Sequence, residues 1–294
     1  MDHNLKNSIQ EIRRIFHSPA KVNLFLRILF KRADNYHELL SVMQPISLYD
    51  EIAFSISDGD SIKVACGHCE VPEGRDNIAY RAAEFVLGRI GLKRAVSIDI
   101  NKKIPVGAGL GGGSSDAATT LMALNGMLDA RIPRNELMEM GAKLGSDVPF
   151  FILKGSALAK GRGEVLQSVK IPKFNYILIN PGFHVSTAWV YNNLDLTKKA
   201  EDNNLSYSEK DFAEYGKIRE YLVNDLESVT VARFTEISEI KSLLMENGAM
   251  GALMSGSGPT VFGVFPDEQS AGLAYENLRR SLKKNYSLFK VQGL

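Results

Sequence analysis

The chain has 294 residues, of which 45% are apolar and 23% are charged, and its formal net charge is +1. This length suits two domains or one large one, because single hydrophobic cores rarely grow beyond about 250–300 residues. The near-neutral charge argues against a general affinity for nucleic acid, and no apolar run approaches the roughly 18 residues of a membrane span. Residues 1–14 carry Asp2 and Glu11 and lack the apolar stretch of a signal peptide, so we expect a cytoplasmic location.

The first half of the chain alternates predicted strands with predicted helices. In residues 18–29 the apolar side chains between Val22 and Ile28 recur at every second position, which predicts a strand with one buried face. Asn35 follows in a polar, turn-like stretch and suits a left-handed turn position. Further along we predict strands over residues 51–57, 61–65 and 95–104, helices over 77–87, 114–128 and 133–144, and a buried strand over 150–153.

The second half continues the mixture of strands and helices. We predict strands around residues 165–169, 176–179 and 260–265, and helices over 214–226, 235–246 and 270–282. A glycine-serine loop, residues 255–259, precedes the last of these strands. The predicted strands mostly alternate apolar with polar residues, whereas a doubly wound parallel sheet would show continuous apolar strands. The pattern therefore predicts an α+β fold, with domains at residues 1–165 and 166–294.

The two cysteines, Cys66 and Cys69, spell Cys-Gly-His-Cys, which has the spacing of a thiol–disulfide exchange motif. In such motifs the first cysteine lies at a helix N-terminus, which lowers its pKa. Here Pro72 and Gly74 follow within a few residues and would break a helix. A zinc site would need about two more ligands, and the sequence has no second Cys/His pair. We therefore expect two reduced thiols near a turn.

Residues 105–116 read Pro-Val-Gly-Ala-Gly-Leu-Gly-Gly-Gly-Ser-Ser-Asp and place five glycines within seven positions. Glycines let a backbone approach a ligand closely and turn its N–H groups toward that ligand. The helix predicted to follow aims its N-terminal amides at the same place, which favours an anion. Ser114 and Ser115 add two hydroxyl groups that can cap this helix or bind phosphate oxygens. The pattern predicts a phosphate-binding loop.

Other glycine-rich loops fit this segment less well. Gly107, Gly109 and Gly112 formally match the dinucleotide-binding fingerprint, but the preceding strand alternates, unlike the buried first strand of a Rossmann unit. A Walker P-loop ends in Gly-Lys-Ser/Thr, and no lysine follows these glycines. A protein kinase needs His-Arg-Asp and Asp-Phe-Gly, and neither tripeptide occurs. A glycine-rich turn without a ligand stays open as an alternative.

At this point the sequence resembles a known family. Residues 105–118 resemble the nucleotide loop of the galacto-, homoserine, mevalonate and phosphomevalonate (GHMP) kinase superfamily. The triple glycine before Ser-Ser is similar to one branch, the 4-diphosphocytidyl-2-C-methyl-D-erythritol kinases of the non-mevalonate isoprenoid pathway. A glycine is usual in that branch where Asn35 stands, and asparagine tolerates the same left-handed geometry. Further segments that agree with the branch are residues 19–24, 32–39, 144–150, 224–227 and 255–259.

The resemblance implies a two-domain GHMP-kinase fold with ATP and substrate in the cleft between the domains. It implies an ATP-dependent kinase that phosphorylates the 2-hydroxyl of 4-diphosphocytidyl-2-C-methyl-D-erythritol, a small molecule carrying a cytidine diphosphate group. Two alternatives remain open at this point. One is another kinase of the superfamily, acting on mevalonate, homoserine or a sugar, and the other is a non-catalytic nucleotide-binding module on the same fold.

The resemblance also implies the catalytic residues. Residues 144–150 resemble the segment that carries the catalytic aspartate, which makes Asp147 the general base for the substrate hydroxyl. The resemblance places Lys21 next to this base, where its ammonium keeps Asp147 ionised and stabilises the developing alkoxide. From the residues alone, Asp147 also fits a helix-terminal turn and Lys21 a solvated strand lysine. A loose phosphoryl-transfer transition state asks little of the base beyond positioning.

ATP binding is implied for the glycine loop and for the start of one helix. The implied loop residues are Pro105, Val106, Gly107, Ala108, Gly109, Leu110, Gly111, Gly112, Gly113, Ser114 and Ser115. Asn77, which opens a predicted helix, either contacts the adenine or serves only as an N-cap. Mg²⁺ is expected with ATP because phosphoryl transfer needs charge neutralisation, and its protein ligands are left unassigned.

Binding of the cytidine end is implied for Asn23, Tyr36 and His37. An aromatic ring offers a stacking face, while imidazole and amide groups can pair with the polar edge of a base. Thr187 and Tyr191 resemble the second wall of that pocket. From the residues alone, a Tyr-His pair in a turn also fits an ordinary surface position.

Overall fold

The computed structural model of the chain describes residues 12–68, 70–196 and 218–294. The strands in this part of the chain are β1 (Ile12–Lys31), β2 (His37–Ser57), β3 (Ser61–Cys66), β4 (Ala95–Asn101), β5 (Ala157–Lys160), β6 (Val165–Ser168), β7 (Asn175–Asn180), β8 (Val223–Asn224), β9 (Gly251–Met254), β10 (Val261–Phe265) and β11 (Ser287–Gln292). The helices are α1 (Ile78–Ile90), α2 (Gly112–Met127), α3 (Arg134–Leu144), α4 (Val148–Leu153), α5 (Thr187–Asn192), α6 (Ile218–Tyr221), α7 (Glu227–Arg233), α8 (Glu236–Glu246) and α9 (Glu268–Ser281).

The chain forms two compact units, each built from separated stretches of sequence. Among the described residues, the first unit contains residues 12–18, Tyr49–Lys103 and Gly113–Ile152. The second contains Pro19–Leu48, Ile104–Gly112 and the described residues from 153 onward. The predicted domain division is a single cut after residue 165, and that boundary stays a prediction.

In the first unit β4 lies between β3 and the last part of β2. Its pairing with β3 is parallel and its pairing with β2 is antiparallel, with Ile98 opposite Val64 and Phe54 respectively. Helix α1 buries its alanine-rich face and packs against β3 and α3. The α1 N-terminus is capped by the side chain of Asn77, which accepts a hydrogen bond from the Ala79 N–H at 2.8 Å.

The second unit contains a four-stranded antiparallel sheet in the order β11-β7-β10-β9. Strand β10 is buried along its whole length, because α8 and α9 pack against this sheet. Also in this unit, β8 pairs in parallel with β1, and β5 pairs antiparallel with β2 and β6. The core contains large aromatic side chains, including the fully buried Tyr176 and Phe262, whose rings meet edge to face at 5.7 Å.

Most predicted elements are confirmed, and the α+β class is confirmed by the mixture of helices with largely antiparallel strands. Asn35 adopts φ = 65°, the left-handed turn conformation that its sequence context predicts. Cys66 is a half-buried free thiol, and Cys69 lies outside the described residues. None of the described helices is both long and apolar enough to cross a membrane.

Two element predictions are wrong. The strand predicted for residues 150–153 is instead part of the helix α4, because a short apolar run fits a buried helix as well as a buried strand. The helix predicted for residues 214–226 is wrong for the later part of the range, because α6 ends at Tyr221 and the strand β8 follows. Strand β8 forms because Val223 pairs with Phe25 of β1, a contact that local periodicity does not reveal.

The buried side chain of Asn224, at the end of β8, supports the glycine-serine loop of residues 255–259. Its Nδ2 donates hydrogen bonds to the carbonyl oxygens of Met254 at 2.8 Å and Gly256 at 2.7 Å. Its Oδ1 accepts a hydrogen bond from the Leu226 N–H at 3.0 Å. One side chain therefore satisfies three backbone groups in the interior of the second unit.

Removing this amide should destabilise the protein. We expect Asn224→Ala to lower the free energy of unfolding by about 3 kcal/mol, because it leaves buried backbone groups without partners. Asn193→Ala is the matched control, since the Asn193 amide also donates to a backbone carbonyl, that of Trp189, but is exposed to solvent. Urea unfolding of both variants measures the difference, and equal losses would contradict the role given to Asn224.

Candidate active site

The first half of the glycine loop, in the second unit, requires glycine for steric reasons. Gly107, Gly109 and Gly111 have φ values of 61°, 77° and 70°, in the left-handed region. A Cβ atom on Gly109 would lie 2.0 Å from the carbonyl oxygen of Ser255, and one on Gly107 would lie 2.3 Å from the His184 ring. The backbone of this loop therefore lies directly against Ser255 and His184.

Lys21 of β1 holds this loop from within the second unit. Its side chain is buried, and Nζ donates hydrogen bonds to the carbonyl oxygen of Gly109 at 3.0 Å and to Oδ1 of Asn23 at 2.6 Å. The Lys21 backbone N–H donates to the carbonyl oxygen of Leu110 at 3.0 Å. The Ser255 hydroxyl donates to the same Gly109 carbonyl at 3.0 Å. Lys21 is therefore buried, and it is not the solvated strand lysine that the residues alone also allowed.

Asn23, two residues further along β1, is buried and hydrogen-bonded within the protein. Its Oδ1 accepts from Lys21, and its Nδ2 donates to the Ser41 hydroxyl at 2.9 Å. The Asn23 backbone N–H donates to the hydroxyl of Ser255 at 3.3 Å. These bonds order the Lys21 ammonium, and the predicted contact of Asn23 with substrate stays a prediction.

The structure brings together two of the residues predicted for the cytidine end. The rings of His37 and Tyr191 lie 5.1 Å apart between centroids, with an interplanar angle of 36°. Burial lowers the pKa of His37, and the positive charge of Lys31 adds to this effect. The imidazole is therefore neutral near pH 7, with one nitrogen that donates and one that accepts a hydrogen bond.

Tyr36 is 55% exposed, and the guanidinium of Arg162 lies 4.7 Å from its ring centroid. This cation–π contact holds one face of an otherwise exposed ring. Arg162 belongs to the turn between β5 and β6, and no motif in the sequence links it to Tyr36. The contact between Arg162 and Tyr36 could therefore not be predicted from the sequence.

The turn that carries Tyr36 is fixed by charged side chains. Glu38 accepts a hydrogen bond from Nη1 of Arg32 at 2.7 Å and another from the Gly161 N–H at 2.9 Å. Arg32 also pairs with Asp34, whose Oδ1 accepts the Tyr36 N–H at 3.1 Å. The Arg32 hydrogen bond lowers the pKa of the Asp34 carboxyl below its usual range. The turn is therefore ordered before any ligand is bound.

Thr187 lies one helical turn before Tyr191 on the short helix α5. Its hydroxyl is 2.8 Å from the hydroxyl of Ser257, so it contacts the loop of residues 255–259. The spacing of four residues puts Thr187 and Tyr191 on the same side of α5. Ser186 caps this helix by accepting the Trp189 N–H.

In the first unit the two serines that begin α2 have different surroundings. Ser115 is buried, and its hydroxyl accepts a hydrogen bond from the Ser18 hydroxyl at 2.7 Å. Ser114 is only half-buried and is the more accessible of the two. Asn77 is buried, caps α1 and donates to the Pro72 carbonyl at 2.9 Å. The N-cap prediction for Asn77 is confirmed, and its adenine contact stays a prediction.

Asp147 lies in the first unit between α3 and α4. It is half-buried, and it follows Gly145, whose N–H closes α3 by bonding to the Gly141 carbonyl. The residue after it, Val148, begins α4 and is fully buried. The turn therefore holds the Asp147 backbone firmly, which suits a positioned carboxylate.

A substitution at Gly109 should be far more harmful than one in open space. We expect Gly109→Ala to lower the unfolding free energy by at least about 2 kcal/mol, because of the backbone clash and the strained φ. Gly126→Ala, within α2, is the control: a Cβ there meets nothing within 4 Å, and alanine should stabilise the helix by about 0.5–1 kcal/mol. Urea unfolding distinguishes them. A Gly109→Ala protein as stable as wild type would contradict this steric account.

Comparisons with known proteins identify the family and the fold. The model of the GHMP kinase N-terminal domain matches residues 77–155, and that of the C-terminal domain matches residues 208–284. The crystal structure of 4-(cytidine 5′-diphospho)-2C-methyl-D-erythritol kinase superposes with a TM-score of 0.80 at 33% identity, covering 96% of this chain and 100% of the other. Mevalonate kinase from Methanococcus jannaschii has a TM-score of 0.72 at 15% identity, covers 96% and 99% of the two chains, and shows the same fold.

Sequence relatives narrow the assignment further. A protein from Syntrophotalea carbinolica named 4-diphosphocytidyl-2-C-methyl-D-erythritol kinase is 50% identical over 278 residues, which cover 94% of this chain and 98% of the relative. A protein of the same name from Geobacter sulfurreducens is 48% identical over 263 residues, which cover 89% and 93% of the two chains. Identity of this extent over nearly whole chains shows that this protein belongs to the 4-diphosphocytidyl-2-C-methyl-D-erythritol kinase family of the GHMP kinases.

Proposed function

We propose that this phosphotransferase moves the γ-phosphoryl group of ATP to the 2-hydroxyl of 4-diphosphocytidyl-2-C-methyl-D-erythritol. The observation that carries the proposal is the pairing of His37 with Tyr191 in the same unit as the glycine loop. The relatives named above carry this substrate in their name. Mevalonate, homoserine and sugars contain no nucleobase, so a pocket with aromatic and imidazole groups gives them little to bind.

ATP is assigned to the glycine loop and to the N-terminus of α2. Left-handed glycines expose consecutive backbone N–H groups, and a helix N-terminus adds the positive end of its dipole. Lys21 and Ser255 fix the Gly109 carbonyl, so the loop has little freedom to lose when a nucleotide binds. Ser114, the accessible hydroxyl, is the better placed of the two serines to reach a phosphate oxygen.

Recognition of the cytidine end is assigned to Tyr36, His37 and Tyr191. The exposed ring of Tyr36 can stack on a planar base, and a neutral His37 can both donate to and accept from its polar edge. Thr187, on the same side of α5 as Tyr191, completes this group. Asn23 is included with them, although its amide must then exchange one of its present partners.

For the chemical step, Asp147 accepts the proton of the 2-hydroxyl and Lys21 stabilises the alkoxide that develops. A loose transition state places most of the work on positioning and charge, which suits a firmly held carboxylate and a buried ammonium. The Lys21 ammonium is already ordered by two oxygen acceptors, so its charge is in place before the reaction begins.

Mg²⁺ accompanies ATP in this proposal and neutralises charge on the transferred phosphoryl group. Within the described part of the chain, no three His, Cys, Asp or Glu side chains form a group that could hold a metal ion. Mg²⁺ commonly keeps several waters and is held through substrate phosphates with one or two protein ligands. The residues present therefore fit a metal that arrives as the ATP complex.

The substrate assignment can be tested by measuring ADP release from Mg-ATP. We expect turnover with the cytidine diphosphate-linked methylerythritol and none above background with mevalonate, homoserine or galactose. Turnover with one of the other alcohols would support the kinase activity but contradict the assignment of a cytidine-binding pocket. Silence with all four, together with intact ATP binding, would favour a non-catalytic nucleotide-binding module.

The general base can be tested by Asp147→Asn. Loss of a positioned base should reduce kcat by about 10²–10⁴-fold, while the melting temperature and the dissociation constant for ADP change little. Asp129→Asn is the control, because Asp129 is exposed, pairs with Arg131 and has φ = 47°, a conformation that asparagine adopts readily. Near wild-type kcat for Asp147→Asn would refute the assignment.

A further inference from the structure

A buried charge cluster in the first unit has no part in the chemistry described above. Lys102 Nζ donates to Oδ2 of Asp50 at 2.5 Å and to Oδ2 of Asp116 at 2.9 Å, and all three side chains are almost completely buried. The second oxygen of Asp50 accepts the Lys103 N–H at 2.6 Å. The second oxygen of Asp116, Oδ1, is buried and makes no hydrogen bond. These three residues form the Asp50–Lys102–Asp116 cluster.

The cluster joins the chain on either side of the glycine loop. Lys102 directly follows β4 and precedes the loop, while Asp116 lies in α2, just after it. Their ion pair therefore links the two ends of a segment whose glycines otherwise give it many conformations. Asp50, in β2, anchors this link to the sheet of the first unit.

The cluster has two carboxylates and one ammonium, so its charges do not balance when all are ionised. Burial raises the pKa of Asp116 to about 7, and Asp50 adds to the rise while Lys102 opposes it. Burial opposes the charge on Lys102, but Asp116 and Asp50 outweigh it and raise the pKa of that ammonium. Among the described residues, Lys102 and Asp50 are the charged groups that act on Asp116.

We propose that Lys102 and Asp116 are positioning residues for ATP: the contact between them fixes both ends of the phosphate loop, and the carboxyl group in excess over the single ammonium takes up a proton when phosphate binds at the start of α2. The proposal rests on the assignment of ATP to this loop. An ionised Asp116, one turn into α2, repels a phosphate bound at the start of the helix. Protonation removes that repulsion while Lys102 still holds both carboxyl groups.

The expected signature is proton uptake on nucleotide binding. Since the bound phosphates disfavour a second negative charge nearby, they raise the proton affinity of Asp116, and the complex takes up protons near pH 7. The same group affects stability with a defined sign. Because its folded-state pKa is above the unfolded value, Asp116 makes the protein less stable as pH rises from about 4 to about 7.

The experiment titrates Mg-ADP calorimetrically into the full chain at pH 7, in two buffers of different ionisation enthalpy. Wild type should take up a measurable fraction of a proton beyond that found for Asp116→Asn, whose amide keeps the side-chain shape without the titration. Lys102→Met should weaken ADP binding by about tenfold and raise the KM for ATP more than it lowers kcat. Lys103→Met is the matched control, because the Lys103 side chain is exposed and pairs with Glu51 at the surface.

The result that overturns the proposal is equal proton uptake in wild type and Asp116→Asn, or equal ADP affinity in Lys102→Met and Lys103→Met. If Lys102→Met does not fold, as thermal melting would reveal, Asp116→Asn decides the matter through its proton uptake, and its melting temperature should lose part of the decline between about pH 4 and 7. Failure of wild type to bind ADP at all would count against the proposed function, and normal binding with normal proton uptake in every variant would count only against this inference.

Discussion

The carbonyl oxygen of Gly109 is the point on which the glycine loop depends within the second unit. It accepts hydrogen bonds from the buried ammonium of Lys21 and from the hydroxyl of Ser255, two groups from distant parts of the sequence. Both donors need the carbonyl to face them, which fixes the peptide plane and hence the direction of the adjoining N–H groups. These two hydrogen bonds thus restrict a glycine-rich loop, which would otherwise be highly mobile, to one backbone conformation.

The same contact explains why glycines occur on both sides of it. The Gly109 backbone lies so close to Ser255 that no Cβ atom fits, and Gly256, at φ = 56°, has the Gly109 carbonyl 3.2 Å from where its own Cβ would lie. The loop of residues 255–259 is held in turn by Asn224 from β8. The buried amide of Asn224 therefore supports the loop of residues 255–259, and that loop in turn supports the glycine loop at Gly109. Backbone carbonyl oxygens are the acceptors in both contacts.

Two buried lysines, one in contact with the glycine loop and one just before it in sequence, have different partners. Lys21 donates to neutral oxygens of Gly109 and Asn23, which order its ammonium. Lys102 lies between two carboxyl groups, Asp50 and Asp116, so its charge is balanced by acidic partners. In the proposed mechanism Lys21 acts on the substrate, whereas Lys102 joins segments of the chain.

The sequence by itself determined those features that depend on local sterics and local chemistry. The left-handed glycines at residues 107, 109 and 111, the turn at Asn35 and the N-cap at Asn77 follow from what each residue type allows its own backbone to do. The resemblance to GHMP kinases rests on these same local patterns. This is why the positions of the glycine turns and of most helices and strands could be predicted from the order of the residues alone.

Only the tertiary structure decided which distant groups meet. The contact of His37 with Tyr191, the position of Arg162 over Tyr36 and the two carboxylates around Lys102 join residues whose spacing in the chain carries no signal. The apolar residues of α4 became a helix because packing, and not periodicity, decides the conformation of so short a run. Propensity acts between neighbours in sequence, whereas burial and hydrogen bonding act between neighbours in space, and the latter exist only once the chain is folded.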